Sequence, residues 1–155
     1  GTIGEPLIGL LAEHKESLGL DKVIFFKRTP LSEERGKVEA LIRKGAEIVS
    51  TNDTISEFLQ LGFNETKDVE LAYKEADVII DCTPSGNDNW ETVYSSLSQD
   101  KRFLAQGSEH GFGPFFAWGI NNEILSDDSN KFLIASCNTH NIASIVKAFA
   151  LDQQS

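Results

Sequence analysis

Methionine is absent from the 155-residue chain, which opens with the glycine segment Gly1-Thr2-Ile3-Gly4. A chain that lacks an initiator and starts inside a motif is expected to be a fragment of a longer protein. It also lacks an apolar run of membrane-spanning length and a signal-peptide pattern, which favours a cytoplasmic protein without membrane contact. The apolar share of 40% is ordinary for a globular domain.

Cysteine is scarce and occurs only at positions 82 and 137. Neither residue lies in a C-x-x-C pair or at zinc-site spacing from a histidine, so we expect no metal site. Two cysteines in a chain of this type do not predict a disulfide framework. Each cysteine therefore needs its own explanation.

Basic residues are outnumbered, with 14 Lys and Arg against 24 Asp and Glu, for a net charge of −10. The first 50 residues hold eight of each sign, so the excess negative charge lies in residues 51–155. This acidity argues against nucleic acid as a partner. A local basic cluster could still receive a small phosphate ligand, although its last three members equally fit a solvated helix face: Lys27, Arg28, Arg35, Lys37, Arg43 and Lys44.

Helical apolar spacing alternates with short β-rich runs along the chain. Helices are predicted at residues 3–18, 38–45, 54–61, 68–76, 89–97 and 138–151, and strands at 22–26, 46–49, 77–82, 102–106, 115–120 and 131–136. Thr54 and Glu57 fit a capping box. The apolar centre of residues 77–82 predicts a parallel strand buried on both faces. The expected architecture is a Rossmann-like open, mostly parallel α/β sheet with helices on both faces, lacking its first strand.

The opening glycines fit a phosphate-binding turn. Gly1 and Gly4 match the last two glycines of G-x-G-x-x-G, which lets backbone approach a pyrophosphate at a helix N-terminus. At the next strand end, an NAD site usually carries a carboxylate, whereas this chain has Lys27, Arg28 and Thr29. Two cations and a hydroxyl favour the 2′-phosphate of NADP. A generic basic turn explains the same three residues equally well.

Cys137 is predicted to stand between a strand and a helix. The unpaired N–H groups and dipole of a helix N-terminus stabilise a thiolate, which is the nucleophilic form. A lone cysteine is more often a small core residue. Here the polar neighbours Ser136, Asn138, Thr139 and His140 favour an active site. Cys82 lies in an apolar strand and is interpreted as a packing residue near the ligand crevice.

Four segments resemble archaeal glyceraldehyde-3-phosphate dehydrogenase, and a fifth resembles the other branch of the same family. The tetrapeptide at 136–139 is similar to the S-C-N-T catalytic motif of that branch, and residues 76–86 are similar to its A-D-x-V-x-D-C-T-P-x-G stretch. Residues 106–110 resemble its Q-G-G-E-K-H loop, and residues 27–30 its K-T-R-P turn. Residues 116–121 are similar to F-V-M-G-V-N of the bacterial and eukaryotic branch. The matches fall in order over residues 1 to about 150.

The resemblance implies an NAD(P)-binding Rossmann domain over residues 1–155 that ends in the helix of the catalytic Cys137. A phosphorylated aldehyde, glyceraldehyde 3-phosphate, would be oxidised with inorganic phosphate through a cysteine thioester to 1,3-bisphosphoglycerate. Ser136, Asn138, Thr139 and His140 would bind substrate. The implied contacts to NADP or NAD, with NADP slightly favoured, are Gly1, Thr2, Ile3, Gly4, Lys27, Arg28, Thr29, Thr83, Pro84, Gly86, Gln106 and Gly107.

Two departures from the family pattern leave roles open. His140 replaces a threonine and could donate to phosphate, tune Cys137 or simply face solvent, while Asn141 replaces a glycine. The family's general-base histidine belongs to a C-terminal catalytic domain that is expected to be missing, so the fragment alone is expected to be inactive. The family forms homotetramers when full length. The alternatives are a related semialdehyde or acyl-phosphate dehydrogenase and a non-catalytic nucleotide-binding or redox module.

Overall fold

Two compact units, Gly1–Ala76 and Asp77–Ser155, make up the chain. A computed structural model describes residues 2–84, 86, 88–97, 100–106, 111–126 and 128–151. The packing of each unit is described by itself.

The first unit is built on a parallel sheet of three strands. Along the chain come α1 (Gly4–Glu13), β1 (Ile24–Phe26), α2 (Arg35–Arg43), β2 (Glu47–Ser50), α3 (Ile55–Gln60), β3 (Lys67–Asp68) and α4 (Val69–Glu75), with a 3₁₀ turn at Ser32–Glu34. The strand order is β1-β2-β3, and Phe25 pairs with Ile48. Buried apolar side chains from β1, β2, the first three helices and the adjoining loops form one core: Ala12, Val23, Phe25, Val38, Ala46, Ile48, Phe58 and Phe63.

The turn from α2 into β2 depends on Gly45. Its N–H donates to Ile42 O at 2.9 Å, and the next N–H, of Ala46, donates to Leu41 O at 3.2 Å. These two bonds form a Schellman motif, which needs a left-handed residue after the helix, and Gly45 has a φ of +94°. The motif directs the chain straight into β2.

The second unit is built on a parallel sheet of four strands. Its elements are β4 (Val78–Asp81), α5 (Asn89–Thr92), a 3₁₀ turn at Tyr94–Ser96, β5 (Arg102–Gln106), β6 (Phe115–Phe116), a 3₁₀ turn at Asn122–Ser126, β7 (Lys131–Ile134) and α6 (Cys137–Val146), which continues as a π-helix over Lys147–Leu151. The strand order is β4-β5-β7-β6. The core holds Phe103, Ala105, Phe132 and Leu133, each at most 3% exposed.

An aromatic cluster covers one side of this sheet. The Trp90 ring meets Phe103 and Phe112 edge-on, with centroids 5.3 and 5.6 Å away, and Lys131 Nζ lies 3.9 Å from the centre of the Trp90 ring. Tyr94 packs on Phe103 at 5.7 Å. Edge-on rings and a cation over indole are favourable arrangements. The cluster thereby fixes the segment that follows β4 against β5.

The predicted α/β architecture with parallel strands is confirmed, and the strands form two sheets. The prediction for β4 is wrong in one respect, because Val78 and Ile80 are 49% and 37% exposed while Ile79 and Asp81 are buried. Side chains alternate across a strand, and only one face of β4 is covered. The predicted helix at 89–97 divides into α5 and a 3₁₀ turn, and the helix at 3–18 ends at Glu13.

Two further local predictions are wrong. The predicted strand 115–120 stops at Phe116, because the Asn121 side chain accepts from Ala117 N at 2.9 Å and donates to Phe115 O at 2.8 Å, which folds the chain into a turn. The capping box does not form: the Thr54 hydroxyl donates to Thr51 O at 3.1 Å and makes no cap bond to α3. A capping residue normally has an extended backbone, whereas the backbone of Thr54 is already helical, and its hydroxyl bonds the preceding turn instead of α3.

In the part of the chain that the structure describes, no helix combines the length and apolar character needed to cross a lipid bilayer.

The approach of Gly113 to β7 yields a stability prediction. A Cβ at residue 113 would lie 2.6 Å from the carbonyl oxygen of Lys131 and 2.9 Å from its carbonyl carbon. Because both atoms are backbone, Gly113→Ala must displace β6 from β7, and we expect unfolding to become easier by about 1–3 kcal/mol. Urea unfolding followed by far-UV circular dichroism measures the change.

The matched control for this prediction is Gly36→Ala. Gly36 lies in α2, and apart from its chain neighbours and the backbone of its own helix, no atom of the described residues would lie within 4 Å of its Cβ. Alanine in a helix interior is more favourable than glycine by up to about 1 kcal/mol, so this variant should be at least as stable as the unmodified chain. Equal stability of Gly113→Ala and the unmodified chain would contradict the proposed clash.

Candidate active site

Cys137 is the first residue of α6 and is exposed. β7 ends at Ile134, Ala135 N donates to Phe116 O at 2.9 Å, and Ser136 is the N-cap residue in an extended conformation. The Ser136 hydroxyl accepts from Thr139 N at 3.3 Å and lies 2.9 Å from Thr139 Oγ1. The predicted position of Cys137 between a strand and a helix is therefore confirmed.

The cap leaves two helix N–H groups available beside the sulfur. Thr139 N is bonded to Ser136, and His140 N donates to Ser136 O at 2.8 Å. The N–H groups of Cys137 and Asn138 donate to no residue that the structure describes. Orphan N–H groups at a helix N-terminus favour nearby negative charge on sulfur or oxygen.

Cys82 has a different environment, just after the end of β4. It is half-buried, and burial raises the pKa of its thiol, an effect to which the neighbouring Asp81 charge adds. Both effects favour the protonated, unreactive form. This agrees with the interpretation of Cys82 as a packing residue.

The register of the second sheet aligns the ends of three strands. Asp81 pairs with Ala105, and Gln106 pairs with Ile134, so the carboxyl ends of β4, β5 and β7 lie side by side. Thr83, Gln106 and Cys137 follow or end these strands. In open parallel sheets, ligands bind at this edge. The structure thus brings predicted cofactor residues and the predicted nucleophile to one edge of one sheet.

A buried carboxylate that was given no role from sequence supports this edge. Asp81 is 4% exposed and accepts hydrogen bonds from Thr83 N at 2.8 Å, Asn89 Nδ2 at 2.8 Å and Tyr94 OH at 3.2 Å. Asn89 Nδ2 also donates to Thr83 Oγ1 at 3.0 Å. The network fixes the turn that carries Thr83 and Pro84. The sequence signal that could have identified this carboxylate is a single Asp at the end of an apolar strand.

In the first unit, residues 2–4 lead directly into α1. Ile3 is the N-cap residue, Gly4 is the first helical residue, and Leu7 N donates to Ile3 O at 3.2 Å. Thr2 and Ile3 are exposed. This confirms that a helix begins at the opening glycine motif. Gly1 and Gly107, together with the rest of the predicted loop at 108–110, lie outside the described residues.

The basic turn after β1 is partly neutralised. Lys27 Nζ makes an ion pair with Glu34, in which both side chains are partly buried. The hydrogen bond from Lys27, followed by its charge, holds the pKa of Glu34 below its ordinary value. Arg28 and Thr29 are exposed, and Arg28 forms no ion pair with any residue that the structure describes. Of the two cations at this turn, Arg28 is therefore the exposed one.

Among the described residues, no group of three or more His, Cys, Asp or Glu side chains could hold a metal ion.

Comparison with known proteins gives several relatives named glyceraldehyde-3-phosphate dehydrogenase. The chain is 29% identical over 109 residues to glyceraldehyde-3-phosphate dehydrogenase of Sulfolobus acidocaldarius, which covers 68% of this chain and 31% of the relative. It is 26% identical over 155 residues to the enzyme of the same name from Pyrobaculum calidifontis, and this alignment covers 98% of this chain and 42% of the relative. It is 30% identical over 112 residues to the enzyme of the same name from Sulfurisphaera tokodaii, and that alignment covers 70% of this chain and 32% of the relative.

No protein-family model matches the chain, and no solved structure matches it significantly. The chain spans less than half the length of the curated relatives that it matches, between 28% and 42%. These relatives are archaeal proteins of one name and are consistent with the motifs quoted above. The resemblance of this chain to archaeal glyceraldehyde-3-phosphate dehydrogenase, predicted from its motifs, is therefore confirmed.

Proposed function

We propose that residues 1–155 are the dinucleotide-binding part of a phosphorylating glyceraldehyde-3-phosphate dehydrogenase, with Cys137 as its nucleophile. The observation that carries the proposal is the exposed Cys137 at the first residue of α6, beside the carboxyl edge of a parallel sheet. The likeness to archaeal enzymes of this name supports it. The whole protein would act in the cytoplasm as a homotetramer.

In the reaction, the Cys137 thiolate attacks the aldehyde carbon and forms a carbon–sulfur bond. The oxygen takes the negative charge and would be stabilised by the N–H groups of Cys137 and Asn138. Loss of hydride from the carbon re-forms the carbonyl as a thioester. Inorganic phosphate then attacks that carbon, the carbon–sulfur bond breaks, and the thiolate is regenerated with an acyl phosphate as product.

A bound nicotinamide dinucleotide would supply the acceptor for that hydride. The residues of each unit fit part of such a ligand: in the first unit, α1 offers helix N-terminal N–H groups for a pyrophosphate, and in the second unit, Thr83, Pro84 and Gly86 are exposed beside the sheet edge. Arg28, with Lys27 and Thr29, would face the adenosine ribose and slightly favour NADP. Gln106 would lie along the cofactor. A metal ion has no role in the proposal.

Substrate contacts would come from the start of α6. The hydroxyls of Ser136 and Thr139 are hydrogen-bonded to each other. An incoming phosphate would therefore share the Thr139 hydroxyl with Ser136. Asn138 is exposed and available to the substrate oxygen. His140 can donate to phosphate only through its second ring nitrogen, because its Nε2 lies 3.0 Å from Trp118 O.

The first prediction concerns thiol reactivity. Iodoacetamide at pH 7, with peptide-resolved mass spectrometry, should alkylate Cys137 roughly tenfold faster than both Cys82 and an isolated peptide of residues 134–142. The peptide has the same sequence without the helix, and so separates activation from mere exposure. Equal rates for the peptide and the folded chain would contradict an activated nucleophile.

The second prediction concerns cofactor choice. Glu34→Gln removes the carboxylate that neutralises Lys27, so affinity for NADP relative to NAD should rise roughly threefold to tenfold. Calorimetric titration of both cofactors measures the ratio, and Glu33→Gln, an exposed neighbour outside the ion pair, serves as the control. Tighter binding of NAD than NADP by the unmodified chain would refute the assigned role of Arg28.

The third prediction concerns the Asp81 network. Asp81→Asn replaces one accepting oxygen by an NH₂ group that faces donors, which should cost about 1–3 kcal/mol of unfolding free energy and weaken dinucleotide binding. The control is Asp77→Asn at the exposed residue directly before β4, which should change neither the unfolding free energy nor dinucleotide binding. Unaltered cofactor affinity in Asp81→Asn would show that the Thr83 turn does not bind the cofactor.

A further inference from the structure

The helix that carries Cys137 has little of the buried surface that normally holds a helix in place. None of the residues Cys137–Val146 is buried, and Ile142, Ile145 and Val146 are 63%, 59% and 49% exposed. Helices in proteins derive most of their stability from tertiary packing of one face. Within the described residues, the contacts that set the direction of α6 are therefore not those of a buried apolar face.

One face of this helix is partly covered. Between residues 137 and 147, the half-buried positions are His140, Ala143 and Lys147. Their spacing of three and four residues puts them in one row on the helix surface. The partly covered row therefore contains the polar side chains of His140 and Lys147, whereas the large apolar side chains of the helix are exposed.

Both polar side chains of that row reach neighbouring carbonyls of a single turn. His140 Nε2 lies 3.0 Å from Trp118 O, and Lys147 Nζ donates to Gly119 O at 2.7 Å. The two anchoring residues are seven positions apart, which is about 10 Å along a helix. Two bonds so separated restrict both the position and the tilt of α6.

The turn that accepts these bonds is itself well fixed. Asn121 bonds both Ala117 N and Phe115 O, and Asn122 Oδ1 accepts from Gly119 N at 2.7 Å. Ile120 N closes the turn on Ala117 O at 3.0 Å. Because the turn directly follows β6, it connects α6 to the sheet.

The chemistry of the His140 contact determines its tautomer. A backbone carbonyl can only accept, so Nε2 must carry the hydrogen, and in the neutral ring Nδ1 is then the acceptor. A neutral His140 in this arrangement has no second N–H for a phosphate oxygen. The contact thus favours a mechanical role over the phosphate-donor role.

We propose that His140 and Lys147 are positioning residues that tether the helix of the nucleophile to the carbonyls of Trp118 and Gly119. The tether holds the N-terminus of α6, and with it the N–H groups and the sulfur of Cys137, against the sheet edge. Its catalytic meaning rests on the proposed function, whereas the tether itself is a property of the fold.

The test combines two readouts on the full chain: the peptide-resolved alkylation rate of Cys137 and hydrogen exchange of the α6 amides. His140→Leu, which lacks a donor, should lower the alkylation rate roughly threefold to tenfold and speed α6 exchange similarly. His140→Gln retains an N–H at a similar reach and should restore most of both. Ser144→Ala, which removes only a bond within α6 to His140 O, is the control and should alter neither.

Lys147 provides a second, independent pair of variants. Lys147→Met keeps the length without the donor and should speed exchange at the C-terminal half of α6, whereas Lys147→Arg should not. Unchanged exchange and alkylation in both His140→Leu and Lys147→Met would overturn the tether. A His140→Gln variant as impaired as His140→Leu would assign the effect to the imidazole and overturn it too.

Failure of the tether and failure of the proposed function give different results. If Cys137 of the unmodified chain reacts no faster than the isolated peptide, the nucleophile proposal fails, and hydrogen exchange still decides the tether. If Cys137 reacts fast and neither His140→Leu nor Lys147→Met changes either readout, the nucleophile stands and the tether fails.

Discussion

The parallel pairing of β4, β5 and β7 is the constraint on which the candidate site depends. Parallel strands end at the same edge, and the pairs Asp81–Ala105 and Gln106–Ile134 set how far each strand extends. A slip of one residue would turn the buried Phe103 and Leu133 outward, so the core fixes the register. Packing therefore brings together residues that lie more than 50 positions apart in the chain.

Polar groups at that edge are held by hydrogen bonds rather than by apolar packing. Asp81 is almost fully buried, and its desolvation is offset by three donors, one from the backbone of the turn it supports. The same carboxylate adds to the burial that raises the pKa of Cys82. One buried charge thus orders the Thr83 turn and adds to the burial that favours the protonated form of the nearby thiol, whereas Cys137 is the exposed cysteine.

The two sites that would contact charged ligand groups differ in how their charges are balanced. At the turn after β1, Glu34 satisfies Lys27 and leaves Arg28 as the exposed cation. At the start of α6, the first turn of the helix carries no carboxylate, lysine or arginine, and the helix N–H groups supply the positive potential. A phosphate at the first position would meet a formal charge, whereas an oxyanion at the second would meet oriented dipoles.

Local sequence alone determined the element order, the parallel α/β class, and the position of Cys137 between β7 and a capped helix, because these follow from apolar periodicity and from neighbouring residues. It could not give the long-range partners. Asp81 with Tyr94, Lys27 with Glu34, and His140 with Trp118 meet only after the chain has folded, and nothing in their spacing encodes the contact. The exposed face of β4 was mispredicted because burial depends on neighbours that tertiary packing supplies. The turn at 117–120 was mispredicted for a local reason: the Asn121 side chain bonds backbone groups four and six residues earlier, and apolar periodicity carries no signal for such bonds.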